Sequence, residues 1–170
     1  MIAAIIFVVF PFAMIYAALS DVFTMTIANR VSLMLIVGFL IVAPFIGITW
    51  MEFMWHIAAF ALILVITFAL FAANVMGGGD AKLMSSTALW IGLNAQLMEY
   101  VLVFTVAGGL ITLFLLMLRN SAFATYVGEI RVLWRMLDEK DIPYGVGLAI
   151  GGLFVFPETP AMTYAIAQML

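Results

Sequence analysis

Uncharged apolar stretches, each closed off by one or two charges, divide almost the whole of this chain. They are Met1–Ser20, Val31–Met51, Phe53–Met76, Leu83–Met98, Tyr100–Leu118 and Ile142–Phe156. A helix crossing lipid needs about 20 such residues, with a range of roughly 17–25. Leu83–Met98 and Ile142–Phe156 are short by that measure and must borrow flanking residues or lie inside the bundle, where local thinning is tolerated. Only 9% of the 170 residues are charged and 68% are hydrophobic, whereas a soluble domain carries roughly 25% charged residues. The pattern predicts an all-α polytopic membrane bundle of about six transmembrane helices, in a single domain over residues 1–170. Met1–Ser20 has no charge and so lacks the basic start of a signal peptide. It reads as the first membrane helix, retained.

The few charges give an orientation. Arg30 lies in the first connection, Lys82 in the third, and Arg119, Arg131, Arg135 and Lys140 in the fifth. The second and fourth connections hold only Glu52 and Glu99, and the C-terminal tail only Glu158. Positive residues stay in the cytoplasm. Both termini are therefore expected outside, and the loops around Asp21 and Asp80 in the cytoplasm. The tail after Pro157 reads as an outer-surface segment. Within the fifth connection, Arg131-Val132-Leu133-Trp134-Arg135-Met136-Leu137 alternates cationic and apolar positions. It suits an interfacial helix, or an element that docks substrate over a site.

Several chemistries are excluded by composition. Six basic residues spread along the chain form no nucleic-acid surface. Without cysteine there is no thiol nucleophile or disulfide. The single histidine, His56, falls on the outer side, and zinc would want several His or Cys ligands; it reads as a packed residue. No metal and no cofactor is expected. Gly147 and Gly151 form a GxxxG pattern that reads as a helix-packing face.

Asp21 and Asp80 remain. Carboxylates are costly near lipid, and both sit at polar breaks on the same predicted side. Taken singly, each has a structural explanation. Asp21 could be a helix-terminal charge at headgroup level, and Asp80 an N-cap for the helix that follows. Asn29 could cap the second helix. Lys82 suits a snorkelling anchor and could bias Asp80 towards ionisation. The run Gly77-Gly78-Gly79 could be a simple turn, since each glycine costs a helix roughly 1 kcal/mol. It also leaves backbone bare for the approach of another chain. Taken together the two acids offer more. At about 5 Å and an effective dielectric near 20, two carboxylates repel by roughly 3 kcal/mol, or about two pK units. One then keeps a proton while the other acts as base, which is the arrangement of an aspartic protease.

The chain resembles the type IV prepilin peptidases, a group of GxGD membrane aspartic proteases. Gly77-Gly78-Gly79-Asp80-Ala81-Lys82-Leu83 matches their GxGDxKL signature. Ser20-Asp21 through Ile27-Ala28-Asn29 is similar to their first block, and Ile142-Pro143-Tyr144-Gly145 to a third block of the short members serving Flp/Tad-type pili. Ala28 stands where that family usually has proline. The resemblance implies a peptidase of the cytoplasmic (inner) membrane with Asp21 and Asp80 as its catalytic pair. Gly77, Gly78, Gly79, Lys82 and Asn29 would contact substrate. The implied partners are a single-span prepilin substrate, cut after a glycine, the lipid bilayer, and pilus or secretion assembly machinery. Acidic residues such as Glu129, Asp138, Glu139 and Asp141 would suit its cationic leader. The larger members' cysteine-bearing zinc domain and N-methyltransferase activity are not expected. Two other readings stay open: a presenilin-like protease for other single-span proteins, and a non-enzymatic transporter or proton conduit using the two aspartates as a relay.

Overall fold

The computed structural model describes residues 2–119 and 142–169. The fifth connection beyond Arg119, with its basic-apolar segment and its acidic residues, lies outside the described residues. The described chain is all-helical: α1 (Ile2–Thr24), α2 (Asn29–Val42), α3 (Trp50–Ala72), α4 (Gly78–Ile91), α5 (Ala95–Arg119), α6 (Tyr144–Val155) and α7 (Pro160–Ala167). Short 3-10 turns at Ala43–Phe45 and Phe156–Glu158 follow α2 and α6.

Among the described residues, α1, α3 and α5 are long and apolar enough to cross a membrane, and α6 with α7 adds a span bent by 50° if the pair is counted as one. The helices α2 and α4 have 14 residues each, about 21 Å at 1.5 Å per residue, and fall short of a full crossing. The helical class stands as expected, while six full spans do not appear among the described residues. The outer surface is apolar: Val65 is 68% exposed and Phe68 62%, which water would disfavour and lipid accommodates.

Of the two short helices, α4 is inside, while α2 buries one face and exposes Leu33 and Leu40 on the other. α4 packs against α3, α2 and α6, while α1 packs against α2, α6 and α7, and α5 against α6. Every residue of α4 from Leu83 to Ile91 is buried. Its polar side chains turn back on their own helix: Ser85 Oγ donates to Ala81 O at 2.7 Å and Thr87 Oγ1 to Leu83 O at 2.9 Å. Trp90 Nε1 donates to Leu35 O at 2.8 Å, tying α4 to α2. Around it, Phe10 stacks on Phe156 with ring centroids 4.2 Å apart, and Phe39 meets Trp90 edge-on. The GxxxG glycines pack α6 onto α5 as expected. A methyl on Gly147 would lie 3.1 Å from Gly108 N, and one on Gly151 would lie 2.9 Å from Phe104 Cβ.

The helix ends depart from the charge-based boundaries. The expected span Leu83–Met98 is broken at Gly92, whose φ of +85° suits only glycine. Asn94 then caps α5, accepting from Leu97 N at 3.2 Å. The second connection closes earlier than Glu52. Thr49 caps α3, and Glu52 lies in the first turn as the acidic arm of a capping box. Likewise Asp21 and Asp80 are not in loops. Asp21 stands in the last turn of α1, and Asp80 in the first turn of α4 with Gly77 as its N-cap.

Candidate active site

Three pieces of chain converge at one end of the bundle: the turn from α1 to α2, the turn from α3 to α4, and the start of α6. Asp21, Met25, Asn74, Gly77, Asp80, Ile142 and Tyr144 all line one cavity there, of about 310 Å³. The prediction that the first and third connections share a side is met by this geometry.

Each turn is shaped by a residue in the left-handed conformation. α3 ends in a Schellman motif: Val75 N donates to Leu70 O and Asn74 N to Phe71 O, both at 2.9 Å. Asn74 has φ +57°, which asparagine tolerates better than most residues. α1 ends in the simpler left-handed cap, with Met25 N donating to Asp21 O at 2.8 Å. Met25 has φ +51°. A residue with a full side chain there costs on the order of 1–3 kcal/mol. Both strained residues line the cavity.

Asp21 is buried, at 6% exposure. Its Oδ2 accepts from Gly145 N at 2.7 Å, across 124 positions of sequence. A methyl on Gly145 would fall 2.9 Å from both Asp21 Cβ and Oδ2, and 3.0 Å from Ile27 Cδ1. Only a glycine lets α6 begin that close to the carboxylate. Asp80 is half-buried, and its carboxylate accepts from the Gly77 backbone amide. It stands ahead of the apolar run of α4. Burial, and then the charge of Asp21, push its carboxyl up to about 7, against the smaller lowering effect of the Gly77 amide.

The glycine run has separate tasks. A methyl on Gly79 would sit 3.1 Å from Ile27 Cβ and 3.3 Å from its backbone N and O, so Gly79 admits the α1–α2 turn. Gly77, Gly78 and Gly79 line a further cavity of about 250 Å³ on which Asp21 and Asp80 also open. The two acids are thus flanked by open space on two sides.

A comparison with protein families finds the type IV leader peptidase family over residues 8–118, a stretch containing both aspartates. The chain belongs to the type IV leader peptidase family. No curated protein and no solved structure matches it. Membership makes the chain a type IV leader peptidase-like protease.

The peptidase brings some of the expected site residues together and leaves others apart. Asp21, Asp80 and Gly77–Gly79 share cavities. Lys82 and Asn29 do not line them. Lys82 Nζ donates to Asn29 Oδ1 at 2.9 Å, and both face a cavity between α2, α3 and α4. His56 is buried on α3, its Nδ1 donating to Leu89 O at 2.8 Å, as a packed histidine would. Gly145, Tyr144 and Met25 were given no role from sequence. For Gly145 the signal was present, because it closes the third family-like block, but its partner could not be read. Among the described residues no cluster of three or more His, Cys, Asp or Glu could hold a metal.

Proposed function

We propose that this peptidase is an aspartic endopeptidase that removes the leader of prepilin-type, single-span membrane proteins. Cleavage follows a glycine at the cytoplasmic membrane face, and Asp21 and Asp80 are the catalytic pair. One observation carries the reading: two carboxylates from distant helices open on the same cavities, each held by a backbone amide.

The chemistry follows from their unequal surroundings. Asp80, held at about 7, still carries its proton in about half of the molecules at neutral pH and in most of them below it. The negative charge that helps to raise Asp80 sits on Asp21, which takes the anionic role. Asp21 takes a proton from water, and the water oxygen attacks the scissile carbonyl carbon. Asp80 gives its proton to the carbonyl oxygen. When the tetrahedral species collapses, the C–N bond breaks, the leaving nitrogen takes the proton that Asp21 had gained, and one hydroxyl of the gem-diol returns a proton to Asp80 as the new carboxyl group forms, so that both acids regain their starting states. No covalent intermediate is needed.

The surroundings also suit the substrate. A smaller apolar cavity of about 200 Å³ adjoins Asp80, walled by Leu70, Val75, Phe104 and Leu148. It would take the apolar segment that follows a leader, while the exposed turn at Gly77 leaves main chain free for an extended peptide. The presence of all six basic residues in the first, third and fifth connections supports a cytoplasmic site.

The test is co-expression with a tagged prepilin, comparing wild type, Asp21→Asn and Asp80→Asn by substrate mobility. Wild type is expected to cleave, and neither variant, although both still insert. Cleavage surviving in either well-expressed variant would overturn the assignment of the pair.

A further inference from the structure

The residues that sequence had placed at the substrate, Lys82 and Asn29, belong to a different feature. At the end of the bundle holding Asp21 and Asp80, a cavity of about 400 Å³ opens between α2, α3 and α4. Its rim is cationic: Arg30 and Lys82 are both exposed. Lys82 spends one donor on Asn29 Oδ1 and keeps two. Neither cation has an ion pair among the described residues. The rim also includes the start of α2, whose N-cap is Ala28 with no side-chain cap. The positive end of that helix favours an anion at this point.

Below the rim the character changes. Leu33, Ile36 and Phe60 make apolar walls. Two hydroxyl residues interrupt them: Ser85, whose Oγ donates to Ala81 O, and Ser32, only 6% exposed, whose Oγ has no hydrogen-bond partner among the described residues. A buried hydroxyl left unmatched costs roughly 1–3 kcal/mol. Ser32 lies two residues along α2 from Arg30, about 3 Å deeper by helix rise. From rim to floor the order is cation, hydroxyl, hydrocarbon.

That order mirrors a phospholipid seen edge-on: phosphate, ester carbonyl, acyl chain. We infer that this groove is a binding site for one anionic phospholipid. Its phosphate lies between Arg30 and Lys82, an ester oxygen accepts from Ser32 Oγ, and an acyl chain lies along Leu33, Ile36 and Phe60. A cationic peptide leader is disfavoured there by the same two charges, and a free anion would leave the apolar walls uncovered. Basic pockets between membrane helices are known to select acidic headgroups. The site is independent of the roles proposed for Asp21 and Asp80.

Native mass spectrometry of the detergent-solubilised protein tests it. The probes are phosphatidylglycerol and phosphatidylcholine with identical palmitoyl-oleoyl chains, added at equal concentration. Phosphatidylglycerol is expected to be retained one to one, at least ~10-fold more tightly than phosphatidylcholine. Arg30→Ala with Lys82→Ala should remove most of that selectivity, and Ile36→Trp, which fills the groove, should remove retention itself. Millimolar inorganic phosphate should not displace the lipid. Equal retention of the two lipids by wild type would overturn the inference without recourse to any variant. So would unchanged selectivity in the folded double variant, or full displacement by phosphate, which would indicate an anion site without a lipid.

Discussion

Two ionisable side chains in this bundle are each pressed against a glycine, at opposite ends of α4. A methyl on Gly92 would lie 3.1–3.2 Å from the His56 ring, and a methyl on Gly145 would lie 2.9 Å from Asp21. The resemblance ends there. His56 is closed in: its Nδ1 is on Leu89 O, and its ring lies 5.0 Å from that of Phe39, which in turn stacks on Phe53. Asp21 has one oxygen held and an open cavity beside it that it shares with a second acid. A buried titratable group is therefore not by itself a site. What distinguishes the two side chains is a cavity that the group itself lines and a partner of the same chemistry on it.

The hardest test of that contrast is to remove the titratable function at each end. Asp21→Asn or Asp80→Asn should lower leader cleavage by ~10²–10⁴-fold, the usual contribution of a positioned acid or base. Asparagine keeps the shape and can still accept from the Gly145 or Gly77 amide. His56→Gln should leave turnover per folded molecule within about twofold and lower Tm instead. Cleavage assays and thermal unfolding on the same preparations read both. A loss of turnover in well-folded His56→Gln would erase the distinction.

The glycines sharpen it. Gly145→Ala drives a methyl into Asp21 and Ile27, and should reduce kcat by about 10-fold or more through misplacement of the carboxylate. Gly92→Ala meets a φ of +85° and a ψ of 171° and should cost about 1–3 kcal/mol of stability, with kcat of the folded fraction unchanged. The two substitutions are chemically identical, so the opposite outcomes isolate what each glycine is for.

How far sequence alone reached follows the same division. Lys and Arg placement foretold that Asp21 and Asp80 share an end, because charge sorting across a membrane acts on whole connections and is insensitive to register. The family-like blocks pointed to the same two acids. The ends of helices were less legible. Drawing spans from charge to charge put Asp21 and Asp80 in loops, whereas Met25 and Gly77 set the true boundaries. It ran α4 through Gly92, because that turn carries no charge. The Gly145–Asp21 bond spans 124 positions, and nothing local in either segment encodes it. Asn29 and Lys82 lie within the same blocks as the two acids, yet α2 and α4 turn them to another cavity.

Protonation offers a graded test. With Asp80 held at about 7 by burial and by the charge of Asp21, its acid form predominates below that pH and is lost above it. The log of kcat/KM for leader cleavage should therefore fall with a slope of about one on the alkaline side of pH 7, close to tenfold per unit, as expected for loss of one essential proton. The apparent value belongs to the pair. A flat profile from pH 7 to 9 would remove the acid role from Asp80. His56, enclosed by rings, should leave no mark: the same limb is expected in His56→Gln.

The smallest effects are expected at the turn that carries Gly77 to Asp80. Asn74 closes α3 at φ +57°, where its side chain is exposed and only its conformational tolerance matters. Glycine accepts that conformation freely, so Asn74→Gly should change stability by no more than ~0.5 kcal/mol. Alanine does not, and Asn74→Ala should cost about 1 kcal/mol. If the turn serves only to end the helix, cleavage should be equal in both variants. If it also aims the Gly77 amide at the Asp80 carboxylate, Asn74→Ala should move the alkaline limb as well as Tm, because that amide holds the Asp80 pKa down. A limb shifted upward in Asn74→Ala and unmoved in Asn74→Gly would tie the strained turn to the acid; equal limbs would leave it a helix stop and nothing more.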